Sequence, residues 1–580
     1  MDPSLRDVDD EEDWAREQGV PSLDEPFIQK YLDGRDALIA QEKRQRSDHA
    51  FRETLSPMAA EASAIVSAIR FEEQQALWNS GYHDNLTKDE GAEVHPGMMF
   101  PLAKDRIESS KLWRIVKKMP KGALLHCHLQ AMGDLDWLID EALATDGICM
   151  SASCPLASDE ARLKKPFLFQ YVKDTHSNEA PTIWSTTYQA DQWVPIVRAA
   201  ESFPGGKEAF VKWLKSRVTV TREESLQHHL GPDSIWRKFA SCFPILASLQ
   251  LYEPIFRKFI RGMLLQLHHD GVQWVDIRSI FVLPFWREHA NTPDEDFEGL
   301  LAVLQDEIDA FVDSEEGKGL WGARLIWTTV RQIGRRGIIE DMKKCIAMKQ
   351  LFPDLIAGFD LVGQEDLGQS LVELTPELFW FKKRCMEEGV DIPFYFHAGE
   401  TLGDGDTVDE NLFDAVLLGT RRIGHGFSLF KHPLLIDMIK EKKILVESCP
   451  ISNEVLRLTG SIMQHPLPAL LARGVPCSLS TDDPTILGQG TSGMSYDYFQ
   501  ALQGWENLGL EGLANLAENS VRWATFDDCS ARQWQAEIKA GAFGNGVRAD
   551  RMKEWARQFE KFCQWVVLEY GAETDVNTLD

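Results

Sequence analysis

The sequence predicts an α/β fold: a (β/α)₈ TIM-type barrel with an N-terminal helical extension and an insertion after the first strand. Short apolar, β-branched runs alternate with amphipathic helical stretches, which is typical of parallel strands joined by helices. Eight such runs are present, the number that closes a barrel. Nearly every run ends in a polar residue, at the end where barrel enzymes carry their sites.

The predicted strands follow one another from residue 122 onwards. They are 122–129 (GALLHCHL), 272–279 (VQWVDIRS), 323–330 (ARLIWTTV), 355–363 (LIAGFDLVG), 393–400 (PFYFHAGE), 421–426 (RRIGHG), 443–450 (KILVESCP) and 476–484 (PCSLSTDDP). Helical candidates such as ELTPELFWFKKRCMEEG and NLFDAVLLGT lie between them. This order predicts repeated βαβ units, with all the strand C-termini at one end of the barrel.

Two segments fall outside this alternation. Residues 1–112 comprise an acidic leader and stretches such as PMAAEASAIVSAIRFEEQQALW, whose composition and spacing predict a helical extension. The predicted strands begin after it, in a predicted barrel domain of residues 113–580. Within that domain, residues 145–231 mix Cys, Pro, aromatic and charged residues without one clear period. We expect an insertion there, because its Trp and Phe side chains need burial.

The composition excludes several classes of protein. The 580 residues include 61 Lys and Arg against 90 Asp and Glu, a formal net charge of −29. This disfavours a nucleic-acid partner, since no basic surplus is available to neutralise phosphates, and favours a neutral or cationic small molecule. No apolar run is long enough to span a membrane, and the N-terminus lacks the features of a signal peptide. We therefore expect a cytoplasmic protein.

The ten cysteines show no repeated C-x-x-C spacing. Disulfide frameworks are usually dense and occur in short secreted chains, so reduced thiols are expected here. Cys149 and Cys154 are close enough in sequence to form a local disulfide if the protein meets an oxidising compartment.

Four side chains at the predicted strand ends form a candidate metal site. His126 and His128 are two residues apart, so on a strand they point to the same face. His397 and Asp482 arrive from other strand ends. Three imidazole nitrogens and one carboxylate suit Zn²⁺ with a position left for water. The H-x-H pair alone is weak evidence, but the four together predict one zinc ion per chain.

Three more polar residues lie near these ligands in the sequence. Glu400 follows His397 by three residues and is a candidate proton donor. His425 is a candidate base or electrostatic stabiliser, and Asp483, facing away from its neighbour Asp482, is a candidate hydrogen-bonding group for substrate or water. Each of them alone is also compatible with a structural role, and for His425 alone the two interpretations are equally balanced. Their combination with a metal that activates water predicts a hydrolase.

Several motifs, taken together, resemble those of the adenosine deaminase family of metal-dependent amidohydrolases. They are MPKGALLHCHL, FYFHAGET, RIGHGF, ESCPISNEVL and STDDP. Within this family, the chain is more similar to the adenosine deaminase-related growth factor subgroup than to other members. The motifs that show this are GFDLVGQED, the HP that follows CPISNEVL, and GMSYDYF. The resemblance covers about residues 113–570. It implies hydrolytic deamination of adenosine to inosine, and of 2′-deoxyadenosine to 2′-deoxyinosine, with release of ammonia.

The resemblance also implies a role for each matching residue. Glu400 would protonate purine N1, while His425 would help to deprotonate and position the attacking water. Asp483 would hydrogen-bond N7, and the backbone N–H of Gly363 would bind N3. Trp236 resembles an aromatic residue near the substrate, although this match is looser. The zinc ligands would be His126, His128, His397 and Asp482.

The regions outside the barrel match the subgroup less well. The N-terminal helices and the insertion are similar to the subgroup's extra regions, which implies a homodimer through the N-terminal helices. The animal relatives are secreted, whereas this N-terminus lacks a signal sequence. An intracellular enzyme or an unusual export route is therefore implied.

Two alternatives to adenosine deamination remain open at this point. The same site would serve a deaminase of an N6-substituted or otherwise modified adenine nucleoside or nucleotide, although no Lys/Arg cluster near the strand ends indicates a phosphate pocket. A catalytically silent nucleoside-binding or growth-factor-like protein is the other alternative. It is disfavoured because every chemical residue is present.

One position departs from the family pattern. The family carries an acid just after the H-x-H pair, in contact with the ribose, and this chain has Gln130 there. An amide still hydrogen-bonds a hydroxyl but carries no charge. We expect altered sugar recognition, tolerance of a modified ribose or weaker binding, unless a neighbouring acid such as Asp134 compensates.

Restoring the acid tests this expectation. Because hydrogen bonds to charged groups are stronger than those to neutral ones, we expect Gln130→Asp to lower the KM for adenosine about fivefold. Steady-state kinetics with adenosine and 2′-deoxyadenosine measure the change. Adenosine kinetics unchanged from those of the parent would contradict a role for Gln130 in sugar recognition.

Overall fold

The strands of the computed structural model, which describes residues 8–78, 94–173 and 181–572, form two parallel sheets and one small antiparallel sheet. In chain order they are β1 (Gly122–His128), β2 (Ile148–Ala152), β3 (Phe167–Tyr171), β4 (Val194–Pro195), β5 (Val272–Ser279), β6 (Gly322–Val330), β7 (Ile356–Val362), β8 (His397–Ala398), β9 (Arg422–His425), β10 (Leu445–Ser448) and β11 (Cys477–Leu479).

The two parallel sheets close on each other into one eight-stranded barrel. One has the strand order β1–β5–β6–β7 and the other β8–β9–β10–β11. A parallel bridge between Cys127 and Asp482 joins β1 to the segment after β11. A second bridge, between Phe359 and Phe394, joins β7 to the segment before β8. The predicted barrel is therefore confirmed.

Most barrel strands are shorter than predicted, β8 and β11 by the most. β8 contains only His397–Ala398 of the predicted 393–400, a stretch that begins with a proline, which has no N–H to donate to a neighbouring strand. β11 ends at Leu479, and Asp482 then adopts a left-handed conformation with φ 59°. Because extended backbone ends at such a residue, Asp482 and Asp483 lie on a turn beyond the strand.

The chain before the barrel is helical in its described part. Its helices are α1 (Val8–Glu17), α2 (Pro26–Lys43), α3 (His49–Glu53), α4 (Pro57–Ala76), α5 (Phe100–Ser109) and α6 (Lys111–Lys118). Helix α4 packs against the last helix of the chain, which begins at Val547, and buries Ile65, Val66 and Ile69. By contrast, α2 has no buried residue.

An insertion separates β1 from β5, as the sequence predicts. It contains the antiparallel sheet β3–β2–β4, and its aromatic side chains Phe167, Tyr171 and Trp184 are buried. Helix α7 (Leu135–Ala144) precedes it, and its helices are α8 (Asp159–Lys164), α9 (Ile196–Glu201), α10 (Gly206–Val218) and α11 (Arg222–Ser225).

The remaining helices alternate with the barrel strands or follow them. They are α12 (Gly231–Gln250), α13 (Glu253–His269), α14 (Glu298–Val312), α15 (Arg335–Leu351), α16 (Thr375–Glu387), α17 (Asn411–Leu417), α18 (Pro433–Lys442), α19 (Pro450–Val455), α20 (Leu467–Ala472), α21 (Gly493–Gly504), α22 (Gly509–Arg522), α23 (Ala531–Ala540) and α24 (Val547–Tyr570). Among the described residues, no helix is both long and apolar enough to cross a membrane.

The ten cysteines all lie in described parts of the chain and are free. Cys149 is buried on β2, and Cys154 is partly exposed just after that strand. The two thiols that are close in sequence are therefore unpaired in this structure.

Candidate active site

The structure brings the four predicted metal ligands together at the C-terminal end of the barrel. His126 and His128 leave the end of β1 on the same face, and each places its Nε2 atom 3.3 Å from Asp482 Oδ1. The His397 ring lies 4.5 Å from the His126 ring and 5.4 Å from the His128 ring, between centroids. All four side chains are buried.

The outward-facing nitrogens of two of these histidines are held by carboxylates. His126 Nδ1 lies 2.8 Å from Glu447 Oε2, and His397 Nδ1 lies 2.7 Å from Asp360 Oδ2. A carboxylate at Nδ1 keeps the proton on that nitrogen and turns the Nε2 lone pair toward the centre of the site. This is the arrangement that a metal-binding histidine requires.

Unpartnered atoms show that the cluster suits a metal ion. His126 Nε2 and Asp482 Oδ1 are buried without a hydrogen-bond partner. Leaving polar atoms buried and unpaired costs free energy, whereas a cation between these lone pairs satisfies them all. The nitrogen-rich donor set with one carboxylate matches the preference of zinc.

Arg278 joins the two orienting carboxylates beneath the cluster. Its Nε donates to Asp360 Oδ2 at 2.8 Å, and its Nη2 donates to Glu447 Oε2 at 2.7 Å. Arg422 pairs with Glu447 from the other side. Burial alone would raise the pKa of Asp360 and Glu447, but the surrounding positive charge outweighs it and holds the pKa of both carboxyls below the usual range. Both carboxylates therefore stay ionised.

The sequence motifs did not identify the charged residues that pair beneath the histidines, because those motifs concern only the strand ends. Arg278, Asp360, Arg422 and Glu447 lie within the predicted strands. The available signal was a charged residue inside an otherwise apolar run. In a barrel such a side chain either faces the interior and must be paired, or faces the helices, where it has few polar partners.

Backbone geometry at the strand ends aims the catalytic candidates into the site. His425 and Asp482 have φ values of 62° and 59°, a region that non-glycine residues rarely adopt. Strain of this kind is typical of functional sites. Gly424 is needed beside them, because a Cβ there would lie 2.8 Å from His126 Cε1.

Glu400 and Asp483 are buried beside the same histidine–aspartate cluster. Glu400 Oε1 is 3.4 Å from His425 Nδ1 and has no hydrogen-bond partner, and Asp483 Oδ1 has none either. Burial, reinforced by the charge of Asp482, raises the pKa of both carboxyls well above the usual range. The loop that carries Glu400 is fixed by Glu365, which accepts the Glu400 backbone N–H at 2.8 Å.

Gly363 and Trp236 lie farther along the chain segments that surround the cluster, after β7 and on α12 respectively. Gly363 follows β7 with φ 99°, a conformation suited to glycine, and a Cβ there would clash with Gln332. Trp236, on α12, is buried against Phe239, which packs on Phe243, whose ring is 6.3 Å from His128 between centroids. Trp236 is thus linked to the metal cluster through two other aromatic rings rather than directly.

Gln130 keeps only one group available for a ligand. Its Nε2 donates to Ser279 Oγ at 2.9 Å and to the carbonyl of Ile280 at 3.3 Å. Both amide hydrogens are thereby used, which leaves the amide oxygen as an acceptor. Asp134 accepts backbone N–H groups at the start of α7 and so acts as a helix cap.

Helix α12 crosses the end of the barrel above these residues. Near its start, Asp233 accepts a hydrogen bond from Gln364 at 2.7 Å. Near its end, Gln250 donates to the backbone carbonyl of Gln130 at 3.0 Å. Since Phe243 faces His128 between these points, the helix covers the side of the site between β7 and β1.

The closed barrel and its buried histidine–aspartate cluster define a metal-binding enzyme of the barrel type. A statistical model of the family described as adenosine deaminase matches residues 209–540. The chain belongs to the adenosine deaminase family, as its motifs predicted.

Similar proteins cover most of the chain. Adenosine deaminase 2-A of Danio rerio is 31% identical over 442 residues, which are 75% of this chain and 81% of that protein. Adenosine deaminase of Lutzomyia longipalpis is 34% identical over 442 residues, 75% of this chain and 80% of that one. Adenosine deaminase 2 of Sus scrofa is 32% identical over 435 residues, 75% and 80% of the two chains. The relatives of the adenosine deaminase 2 type agree with the predicted subgroup.

Removing the shared arginine tests whether the buried charges support the site. We expect Arg278→Met to lower the free energy of unfolding by about 3–5 kcal/mol, because two buried carboxylates lose their common counter-charge. Metal affinity should fall about 10- to 100-fold, because the orienting carboxylates lose their fixed positions. Denaturant unfolding and competition with a chelator measure the two effects.

Arg261→Met is the matched control. Its guanidinium forms an exposed ion pair with Glu316 at 2.7 Å, and such pairs contribute about 0–1 kcal/mol. Equal losses of stability and of metal affinity in the two variants would contradict the role assigned to Arg278.

Proposed function

We propose that this protein is a zinc-dependent adenosine deaminase, which hydrolyses adenosine and 2′-deoxyadenosine to the corresponding inosine nucleoside and ammonia. The observation that carries the proposal is the burial of Glu400 and Asp483 beside the histidine–aspartate cluster. The relatives named adenosine deaminase support the choice of substrate.

The metal would be held by four atoms: Nε2 of His126, His128 and His397, and Oδ1 of Asp482. When bound there, Zn²⁺ supplies the charge that brings the pKa of water toward neutrality and so makes a nucleophile available. The remaining chemistry belongs to side chains of this chain.

Glu400 is suited to protonate the purine. Burial, and then the neighbouring Asp482 and Glu365, raise the pKa of this carboxyl well above its usual range, so it keeps its proton to a higher pH than an exposed glutamate does. Transfer of that proton to N1 withdraws electrons from C6 and makes this carbon susceptible to attack by water. Water supplies its oxygen to C6, one of its protons leaves with the amino group as ammonia, and the other restores the proton of Glu400. The ring thereby becomes that of inosine.

Asp483 and Gly363 are suited to orient the base. The raised pKa of Asp483 favours the protonated carboxyl, which can donate a hydrogen bond, and purine N7 is an acceptor. The backbone N–H of Gly363 would donate to N3 on the other side of the ring. Two such contacts hold C6 in one position relative to the metal cluster.

Turnover, metal content and one variant test this function together. We expect the purified protein to hold about one zinc per chain and to convert adenosine to inosine. The change in ultraviolet absorbance measures this conversion. Glu400→Gln should lower kcat by at least about 100-fold, because an amide cannot deliver the proton. The activity of the parent should fall as the pH rises through the raised pKa of Glu400, where the acid form is lost.

The zinc content of Glu400→Gln is the control. Glu400 is not among the four proposed ligands, so the variant should keep its metal. A folded, zinc-loaded parent that leaves adenosine unchanged would contradict the proposed substrate, and full activity of the variant would contradict the role of Glu400.

We further propose that the protein forms a homodimer through its N-terminal helices. The helix α2 carries Phe27, Tyr31 and Leu38. Tyr31 follows Phe27 by four residues and Leu38 follows it by eleven, so the three side chains share one helix face. They are 61%, 68% and 67% exposed to solvent. Large apolar side chains grouped on one exposed face favour association with a second surface, and a second copy of α2 offers an equivalent one.

Charges on this face should separate the two copies. We expect the double variant Tyr31→Glu, Leu38→Glu to be a monomer, because burying the carboxylates in an apolar interface is costly. Light scattering after size exclusion gives the mass of the parent and of the variant. The control is the double variant Asp33→Lys, Asp36→Lys, which changes charges on other faces of α2. A monomeric parent, or a variant that stays dimeric, would contradict the proposal.

A further inference from the structure

A line of hydrogen bonds runs from the start of α20 to His425. The backbone N–H of Leu467 donates to His465 Nδ1 at 3.1 Å. His465 Nε2 lies 3.0 Å from Asn453 Oδ1, and Asn453 Nδ2 lies 3.1 Å from His425 Nδ1. Asn453 is fully buried and His465 is 6% exposed. Neither residue has a part in the chemistry described above.

The direction of every bond in this line is fixed by its first donor. A backbone N–H can only donate, so His465 Nδ1 accepts and the proton of the neutral ring is on Nε2. Burial lowers the pKa of His465 to about 3, which keeps the ring neutral. His465 Nε2 then donates to the oxygen of Asn453, and the amide nitrogen of Asn453 donates to His425 Nδ1.

We propose that Asn453 and His465 are positioning residues that hold His425 as the tautomer with its proton on Nε2. With Nδ1 accepting from Asn453, the Nε2–H of His425 faces Asp482 Oδ2, 3.8 Å away. The inference rests on the proposed deaminase function for its catalytic consequence. It selects between the two roles that the sequence leaves open for His425, base and electrostatic stabiliser, because this tautomer can donate a hydrogen bond from Nε2 and has no free lone pair with which to remove a proton from water.

A purely structural role for the pair is the competing explanation. The His465 ring packs against Phe427 at 5.5 Å and against Trp505 at 5.9 Å, between centroids. Loss of the ring would therefore reduce stability whatever its hydrogen bonds do. The test must separate the direction of the hydrogen bonds from the packing of the ring.

Three variants make that separation. His465→Leu keeps the apolar volume but removes both nitrogens. His465→Gln keeps a terminal N–H able to donate to Asn453. Asn453→Asp replaces the amide by a carboxylate, which accepts from both neighbours and so draws the proton of His425 to Nδ1. His268→Gln, on α13 and outside this line, is the control.

Kinetics with adenosine give the first measurement. We expect kcat to fall about 10- to 100-fold in His465→Leu and in Asn453→Asp, with the KM within about threefold of the parent. His465→Gln should recover kcat to within about threefold of the parent, and His268→Gln should match it. Zinc content and Tm are measured on the same samples.

Nitrogen NMR of the full-length protein labelled with ¹⁵N-histidine gives the second measurement and does not depend on activity. The His425 signals are identified by their loss in His425→Asn. We expect a lone-pair nitrogen at Nδ1 and a protonated nitrogen at Nε2 in the parent and in His465→Gln. In Asn453→Asp we expect the reverse, with the proton of His425 on Nδ1 and the lone pair on Nε2.

The outcomes are distinguishable. If the zinc-loaded parent does not deaminate adenosine, the proposed function fails, while the NMR spectrum still decides the tautomer. If the parent is active but Nδ1 of His425 carries the proton, the inference is overturned. Equal kcat values in His465→Leu and the parent would overturn it as well, and if Asn453→Asp does not fold, the comparison of His465→Gln with His465→Leu decides.

Discussion

The buried contact of Arg278 with Asp360 and Glu447 is the interaction on which the rest of the site depends. One guanidinium supplies charge to two carboxylates inside a barrel that excludes water. Because both carboxylates stay ionised, each fixes the ring nitrogen of one histidine, His397 or His126. The direction in which these rings face the metal position therefore follows from a charge placed several ångströms below it.

The barrel and the residues at its open end were predictable because they follow from local rules. Alternating strands and helices imply a parallel sheet, and residues two apart on a strand share a face, which places His126 beside His128. The turn at Asp482 and the shortness of β8 were not predictable, because they depend on backbone geometry set by the closed barrel. Sequence periodicity locates a strand but not the residue at which it ends.

Contacts between segments that are distant in the sequence explain why the hydrogen-bond partners of other site residues were not predicted. Gln130 was chosen for its place after the histidine pair, but its partners Ser279 and Gln250 come from β5 and α12. The same holds for Asn453 and His465, whose effect on His425 requires three segments to meet. A single sequence shows which residues have chemical capability, whereas tertiary packing decides which hydrogen-bonding atoms remain for a ligand.

Helix α12 has a consequence for the passage of a ligand. It is attached at one end to Gln364 and at the other to Gln130, and the residues beneath it are almost closed to solvent, with Glu400 at 3% and Asp483 at 1% exposure. Because these carboxyls are almost closed to solvent in this structure, a nucleoside reaches them only if part of the chain above them moves. The rate of that gating sets an upper limit on turnover, however fast the bond-breaking step becomes.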